Sequence, residues 1–312
     1  MKPGQQTTIV TFTGAAGNCL VADVFGSQGD PVLLLHGGGQ TRHAWTKTAT
    51  AIARDGHIAY SLDLRGHGDS DWVANGSYEF SDFAADVKIV AAELTRRAGA
   101  KPIAIGASLG GIASLLAEAD SETERGASIF SALVLVDITP RVDQSGVRKI
   151  LDFMRAHANE GFASIDDAAQ AVAGYLPHRP APRDNEGLKK NLRLSPDGRW
   201  RWHWDPRFLD GKRIASDRHA IESRLVAAAR RLRIPVLLVR GASSELVKEA
   251  HVKEFLELVP HAGYIDISDA RHMVAGDHND HFSAAVLSFI KQLSEAKHPQ
   301  ITMTSDRFDP KS

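Results

Sequence analysis

The chain has 312 residues, 43% hydrophobic and 24% charged, with a formal net charge of -1. That balance gives no electrostatic reason to expect nucleic acid or an anionic membrane surface as a partner, and no apolar run reaches membrane-spanning length. A single cysteine, Cys19, excludes an internal disulfide framework and a cysteine-rich metal site.

The first residues, Met1 to Thr8, are polar and run straight into a strand, so no signal peptide is expected and the chain reads as soluble and cytoplasmic. Thr8–Phe12 and Cys19–Val24 flank a turn from Gly14 to Asn18 and suit an N-terminal hairpin. Pro31–Leu35 is an unbroken apolar run that stops at His36-Gly37-Gly38-Gly39. Such a run fits a strand buried on both faces, as in a parallel sheet. Similar runs follow at Ile58–Leu62, Ile103–Ile105, Ala132–Val136, Pro235–Val239 and Gly263–Ile267. Helical segments lie between most of them, at Trp45–Arg54, Ser81–Ala98, Gly111–Ala119, Leu246–Leu258 and Asp280–Gln292. The alternation predicts an α/β fold with a mainly parallel, doubly wound sheet.

The alternation breaks between Thr139 and about Leu232, where the text is helical or irregular and carries Pro177, Pro180, Pro182, Pro196 and Pro206. That length exceeds what one crossover needs, so a mostly helical insertion is expected above the strand ends. The domain reading is therefore core from 1 to 139, insertion from 140 to 232, core again from 233 to 296, and a polar tail from 297 to 312 that is expected to fray.

Gly106-Ala107-Ser108-Leu109-Gly110 lies between a strand and a helix. A G-x-S-x-G pentad in that setting reads as a nucleophile elbow: a serine on a very sharp turn, its hydroxyl held above the sheet, with small neighbours that let strand and helix approach. Such a serine needs a base, and the base an orienting acid. The chain has 14 histidines, so position decides among them. His272 follows the last strand and so arrives at the sheet edge that carries Ser108. For the acid, Glu245 at the end of the preceding strand is preferred, in the chain order Ser108, Glu245, His272; Asp137, directly after the strand that follows the elbow helix, is the alternative. The N–H groups of Leu109 and of Gly38, or else Gly39, are the expected oxyanion donors. Neither glycine cluster continues into the Gly-Lys-Ser/Thr of a phosphate loop.

His36-Gly37-Gly38-Gly39, Asp63-Leu64-Arg65-Gly66-His67-Gly68-Asp69-Ser70, the pentad and Ala270-Arg271-His272-Met273 occur in this order. Together they resemble the α/β-hydrolase superfamily, in the branch that includes epoxide hydrolases, cofactor-free haloperoxidases, lactonases and carboxylesterases. The resemblance covers about residues 7 to 295 apart from the insertion. It implies the α/β-hydrolase fold with a helical cap, a triad without cofactor or metal, and a bracing role for Asp63 to Ser70. The epoxide hydrolases and dehalogenases of that branch carry an aspartate at the elbow, so Ser108 points to acyl transfer instead. The expected activity is cleavage of a small or medium carboxylic ester, thioester or lactone through an acyl-enzyme. Carbon–carbon bond hydrolysis and cofactor-free perhydrolysis on the same triad are the alternatives within the fold, and a non-catalytic ligand-binding receptor is the alternative outside it.

Trp200, Trp202 and Trp204 alternate with Arg201 and His203, which in an extended segment puts the indoles on one face. They wall an apolar or aromatic substrate pocket or pack the insertion onto the core; Trp204, then Trp202, are the expected substrate contacts. Asp277, His278 and His281 have metal-ligand chemistry but match no strong metal spacing. Self-association is left open by the sequence.

Overall fold

The continuous apolar runs become neighbouring strands of one sheet. The structure is a computed structural model and describes residues 7–177, 185–210, 218–268, 270–272, 274 and 279–297. Strand β1 (Thr8–Thr13) pairs antiparallel with β2 (Cys19–Phe25). β3 (Pro31–Leu35), β4 (Ile58–Leu62), β5 (Ile103–Ala107) and β6 (Ala132–Val136) follow in the chain. Between β6 and β9 (Val236–Gly241) come two short strands that form a separate antiparallel ribbon, β7 (Leu192–Leu194) and β8 (Trp200–Trp202); β10 (Gly263–Ile267) is last. The eight-stranded sheet has the order β1-β2-β4-β3-β5-β6-β9-β10. β2 meets β4 antiparallel, and every pair from β4 to β10 is parallel.

Burial follows position in that order. β3, β6 and β9 are buried at every residue, as a strand covered on both faces must be, whereas the edge strands β1 and β10 are largely exposed or half-buried. Alternate side chains serve opposite faces. Leu33, Leu35, Leu133, Leu135 and Leu238 pack on one side with helices α2 (Phe80–Ala98) and α3 (Leu109–Arg125). Val32, Leu34, Val134, Val136 and Val239 pack on the other with Trp45, with Ala49 and Ile52 of helix α1 (Thr46–Arg54), and with the C-terminal helix. Each fully buried Leu or Val contributes about 1.5–3 kcal/mol against exposure.

The excursion between β6 and β9 starts with α4 (Gln144–Ala156), capped by Asp143 through Ser145 N–H and Gly146 N–H, and α5 (Ile165–Tyr175), capped by Ser164 through Asp167 N–H. The β7–β8 ribbon and a single turn, α6 (Arg207–Asp210), follow. Helix α7 (Arg218–Arg231) then buries Leu225, Val226, Ala228 and Ala229 and packs on α3. It is thus a core crossover helix, although the sequence boundary of 140–232 groups it with the insertion. The ribbon is tied to the loop after β4: Gly68 N–H donates to His203 C=O at 2.7 Å, Asp205 N–H to Gly66 C=O at 2.8 Å, and Tyr78 Oη to Asp205 Oδ2 at 2.6 Å. Helix α8 (Glu249–Leu258) precedes β10, and α9 (Asn279–Lys297) closes the described chain. No helix among the described residues is long and apolar enough to cross a membrane. The tail from 298 lies outside the described residues.

Candidate active site

β5 ends at Ala107, and the chain turns within one residue into α3. Ser108 makes that turn with φ 45° and ψ -110°. A non-glycine residue with positive φ costs about 1–3 kcal/mol and persists only where its surroundings enforce it. Here the glycines enforce it. A Cβ on Gly106 would lie 2.5 Å from the Gly110 carbonyl, and one on Gly110 would lie 2.3 Å from Leu35 O. Strand and helix approach so closely that only the bend at Ser108 joins them.

Asp137 is the other non-glycine residue with positive φ among the described residues, at 49°. It follows β6 as Ser108 follows β5, and the two strand ends are in register: Ala107 pairs with Val136, and Ser108 N–H donates to Val136 C=O at 3.2 Å. The Asp137 side chain is fully buried and accepts three hydrogen bonds, from Gly241 N–H at 3.1 Å, Ser244 Oγ at 2.6 Å and His272 Nδ1 at 2.7 Å. The last of these brings the imidazole to the strand end beside the one that carries Ser108. A carboxylate accepts, so Nδ1 is the ring nitrogen that donates to Asp137, and in the neutral tautomer of that geometry the lone pair is on Nε2.

His272 is held there by its loop. Gly241 lets that loop close in, because a Cβ on it would meet Arg271 O at 2.3 Å. Ser243 N–H donates to Ala270 C=O at 2.9 Å, and the side chain of Ala270 is buried.

The sequence reading preferred Glu245 over Asp137 as the imidazole's partner, and the geometry reverses that preference. Ser244 turns its hydroxyl inward to Asp137 and accepts the N–H groups of Leu246 and Val247, both at 3.0 Å. That turn sends the next side chain away. Glu245 accepts from Arg271 Nη1 at 2.9 Å instead. Partial burial pushes the Glu245 pKa up, but the Arg271 hydrogen bond and charge, with Lys149 behind them, hold it below the usual value.

The loop after β3 carries the candidate oxyanion donors, and its N–H groups can be accounted for one by one. Gly37 N–H donates to Gln40 Oε1 at 3.0 Å, Gln40 N–H to Gly37 C=O at 3.1 Å, and Gly39 N–H to His67 Nε2 at 3.1 Å. Gly38 N–H has no acceptor among the described residues, and neither does Leu109 N–H at the start of α3. Of the two glycines offered by the sequence, Gly38 is the one with a donor to spare. The loop also lies against the nucleophile, since a Cβ on Gly37 would stand 3.5 Å from Ser108 Cβ.

His36, fully buried, donates from Nδ1 to Gly37 C=O at 2.8 Å and accepts Leu64 N–H on Nε2 at 3.0 Å. Burial pushes its pKa down to about 4, so it stays a neutral brace at physiological pH.

The space over this loop is walled by apolar side chains. A Cβ on Gly38 would meet Phe208 Cζ at 3.2 Å and Leu109 Cδ2 at 3.9 Å; one on Gly39 would meet Met154 Cε at 2.9 Å and Trp204 Nε1 at 3.8 Å. Sequence reasoning named Trp204 here but missed Met154 and Phe208, which carry no motif. Trp202 goes elsewhere: its ring packs edge-on against Phe162 at 5.2 Å and Phe153 at 5.9 Å. Asp277 and His278 lie outside the described residues, and His281 is exposed on α9. Among the described residues no group of three or more His, Cys, Asp or Glu side chains is placed to hold a metal ion.

A strained serine stands at the end of one central strand, with a buried carboxylate–imidazole pair at the strand end on one side of it and a glycine loop with one spare donor on the other. A family model described as the alpha/beta hydrolase fold matches residues 30–279. The chain belongs to that family. An esterase of Mycobacterium tuberculosis is 27% identical over 265 residues, covering 81% of this chain and 80% of the esterase. The 2-(acetamidomethylene)succinate hydrolase of Mesorhizobium japonicum is 29% identical over 247 residues, 78% of this chain and 82% of that enzyme. Among solved structures, an E-2-(acetamidomethylene)succinate hydrolase superposes with a TM-score of 0.77 at 24% identity, over 91% of this chain and all of the other. The solved structure of the mycobacterial esterase gives 0.68 at 25% identity, over 94% and 92%. The relatives are hydrolases, and this α/β-hydrolase-fold chain is grouped with them as a hydrolase.

Proposed function

We propose that this hydrolase cleaves small or medium carboxylic esters, thioesters or lactones with an apolar acyl part, by way of an acyl-enzyme on Ser108. The observation that carries the reading is the hydrogen bond between His272 Nδ1 and the buried Asp137, at the strand end in register with the one bearing Ser108.

Each step follows from a named group. His272 Nε2 takes the proton of Ser108 Oγ as the oxygen attacks the carbonyl carbon. The carbonyl oxygen becomes an oxyanion and receives the N–H groups of Gly38 and Leu109, each contributing about 3–4 kcal/mol to the transition state. Asp137 stays ionised and stabilises the imidazolium. Collapse breaks the bond to the alcohol, thiol or lactone oxygen, which leaves with the proton from His272. Water then repeats the sequence on the acyl-enzyme and releases the acid.

Residues of the excursion act as a cap in this scheme. Met154, Trp204 and Phe208 stand over the oxyanion loop and offer an acyl chain apolar surface. That favours an uncharged acyl group over a dicarboxylate.

The test is intact mass after exposure to a fluorophosphonate, for wild type beside Ser108→Ala, followed by a p-nitrophenyl acyl ester series. A stoichiometric adduct on wild type alone, with hydrolysis of neutral acyl esters, is the expected outcome. A ligand bound unchanged by wild type that forms no adduct would replace this reading with a receptor.

A further inference from the structure

The His67 side chain joins the oxyanion loop to the loop after β4, and its ring lies against the excursion. It is fully buried. Nε2 accepts Gly39 N–H at 3.1 Å, and Nδ1 donates to Arg65 C=O at 2.9 Å. The two partners fix the tautomer, because a carbonyl only accepts and an amide N–H only donates. The ring also meets Phe208 edge-on at 4.9 Å and His36 at 5.1 Å, and its backbone bridges Trp204.

We infer that His67 is a positioning residue for the reaction: its Nε2 lone pair holds Gly39 N–H and so fixes the peptide on the C-terminal side of Gly38, while Gly37 C=O, bonded by His36 Nδ1 and Gln40 N–H, fixes the peptide on the N-terminal side, whose Gly38 N–H is then the donor presented to the reacting carbonyl. The inference rests on the serine-hydrolase reading above. Four considerations support it. The loop needs an external anchor, since Gly38 and Gly39 have no Cβ and Gly39 sits at φ 80°; hydrogen bonds rather than side-chain sterics set its orientation. The other internal bonds close on Gly37 and Gln40 and leave Gly39 to His67. The anchor is rigid, because the turn bearing it is pinned by His67 N–H to Leu64 C=O at 3.0 Å and Ser70 N–H to His67 C=O at 3.1 Å. An aromatic enclosure around a buried acceptor also leaves little chance for water to replace it.

Two substitutions separate the ring's two bonds. In His67→Gln the amide oxygen reaches the place of Nε2 and retains an acceptor for Gly39. In His67→Asn the shorter amide reaches only the place of Nδ1, keeping the bond to Arg65 and losing the one to the loop.

Both variants are compared with wild type for fold by circular dichroism, for kcat and KM on p-nitrophenyl butyrate, and for affinity toward an alkyl trifluoromethyl ketone, whose hemiketal oxyanion occupies the same donors. His67→Asn is expected to lose roughly 10- to 100-fold in kcat and a matching factor in ketone affinity, with KM within about threefold. His67→Gln is expected to return to within about tenfold of wild type.

The inference is overturned if folded His67→Asn keeps kcat and ketone affinity within threefold of wild type, or if its loss falls on KM alone. In wild type, imidazole 15N shifts that place the His67 proton on Nε2 would overturn it as well, without recourse to a variant. Failure of wild type to form the fluorophosphonate adduct would instead remove the serine-hydrolase reading, so the two failures are distinguishable.

Discussion

The chain leaves β6 and β9 side by side, and each exit presents a carboxylate, but the two exits treat it differently. After β6 the backbone adopts a positive φ at Asp137, and the side chain turns into the protein, where two donors besides the imidazole meet it. After β9 the inward position is taken by the hydroxyl of Ser244, while Glu245 turns outward to Arg271 with 30% of its side chain exposed. A charge that must stabilise an imidazolium is most effective where water is excluded and its orientation is already fixed. Burial and donors, rather than chain order, set the imidazole's partner here.

The largest effect should come from breaking the buried exit. Asp137→Asn keeps the shape but offers an amide N–H or a neutral oxygen to His272, favouring the wrong tautomer. A kcat loss of roughly 10³–10⁴-fold is expected, read from steady-state hydrolysis and the rate of fluorophosphonate labelling. Retention of activity within tenfold would show that the imidazole finds another partner in solution.

Ser244→Ala comes next. It removes one donor to Asp137 and leaves the N–H groups of Leu246 and Val247 without their common acceptor. About 1–3 kcal/mol of stability should go, because these groups are near a buried centre, with a kcat loss of roughly tenfold as the carboxylate loosens. Urea unfolding and kcat measured on one preparation test both; a stability loss with unchanged kcat would confine Ser244 to structure.

Much of this arrangement is legible in the residues. The apolar runs mark the strands because parallel strands are buried on both faces, and the pentad marks its own turn because its glycines have a steric reason to be glycine. Asp137 was harder to read. What sets it apart from Glu245 is a backbone angle and the rotamer of a neighbouring serine, and neither leaves a pattern in sequence. The alternation of three tryptophans suggests one shared face, but β8 ends at Trp202 and Trp204 bridges to His67, so the indoles part company. His67 lies in a stretch read as a brace, yet the loop it holds is 28 residues away, a pairing that only the folded chain displays. Met154 and Phe208 reach the loop from the excursion, where apolar residues give no sign of which surface they will cover.

The smallest effect, and the sharpest contrast with Asp137, is expected for Glu245→Gln. The carboxylate pairs with Arg271, one residue before His272, but both partners keep contact with solvent. A half-exposed pair contributes about 0.2–1 kcal/mol. The folded pKa of Glu245 lies below its ordinary 4.5, so the unfolded chain takes up the proton first as the solution is acidified. The pair's contribution is therefore complete above pH 4.5 and is lost as pH falls through the lower folded value. Wild type should exceed the variant slightly in denaturant unfolding at pH 7, and the gap should close in acid and shrink in molar salt, with kcat changed by less than about threefold. A gap that persists in acid would mean that lost packing, not lost charge, sets the cost. A kcat loss rivalling that of Asp137→Asn would return the imidazole to Glu245 and overturn the contrast between the two strand ends.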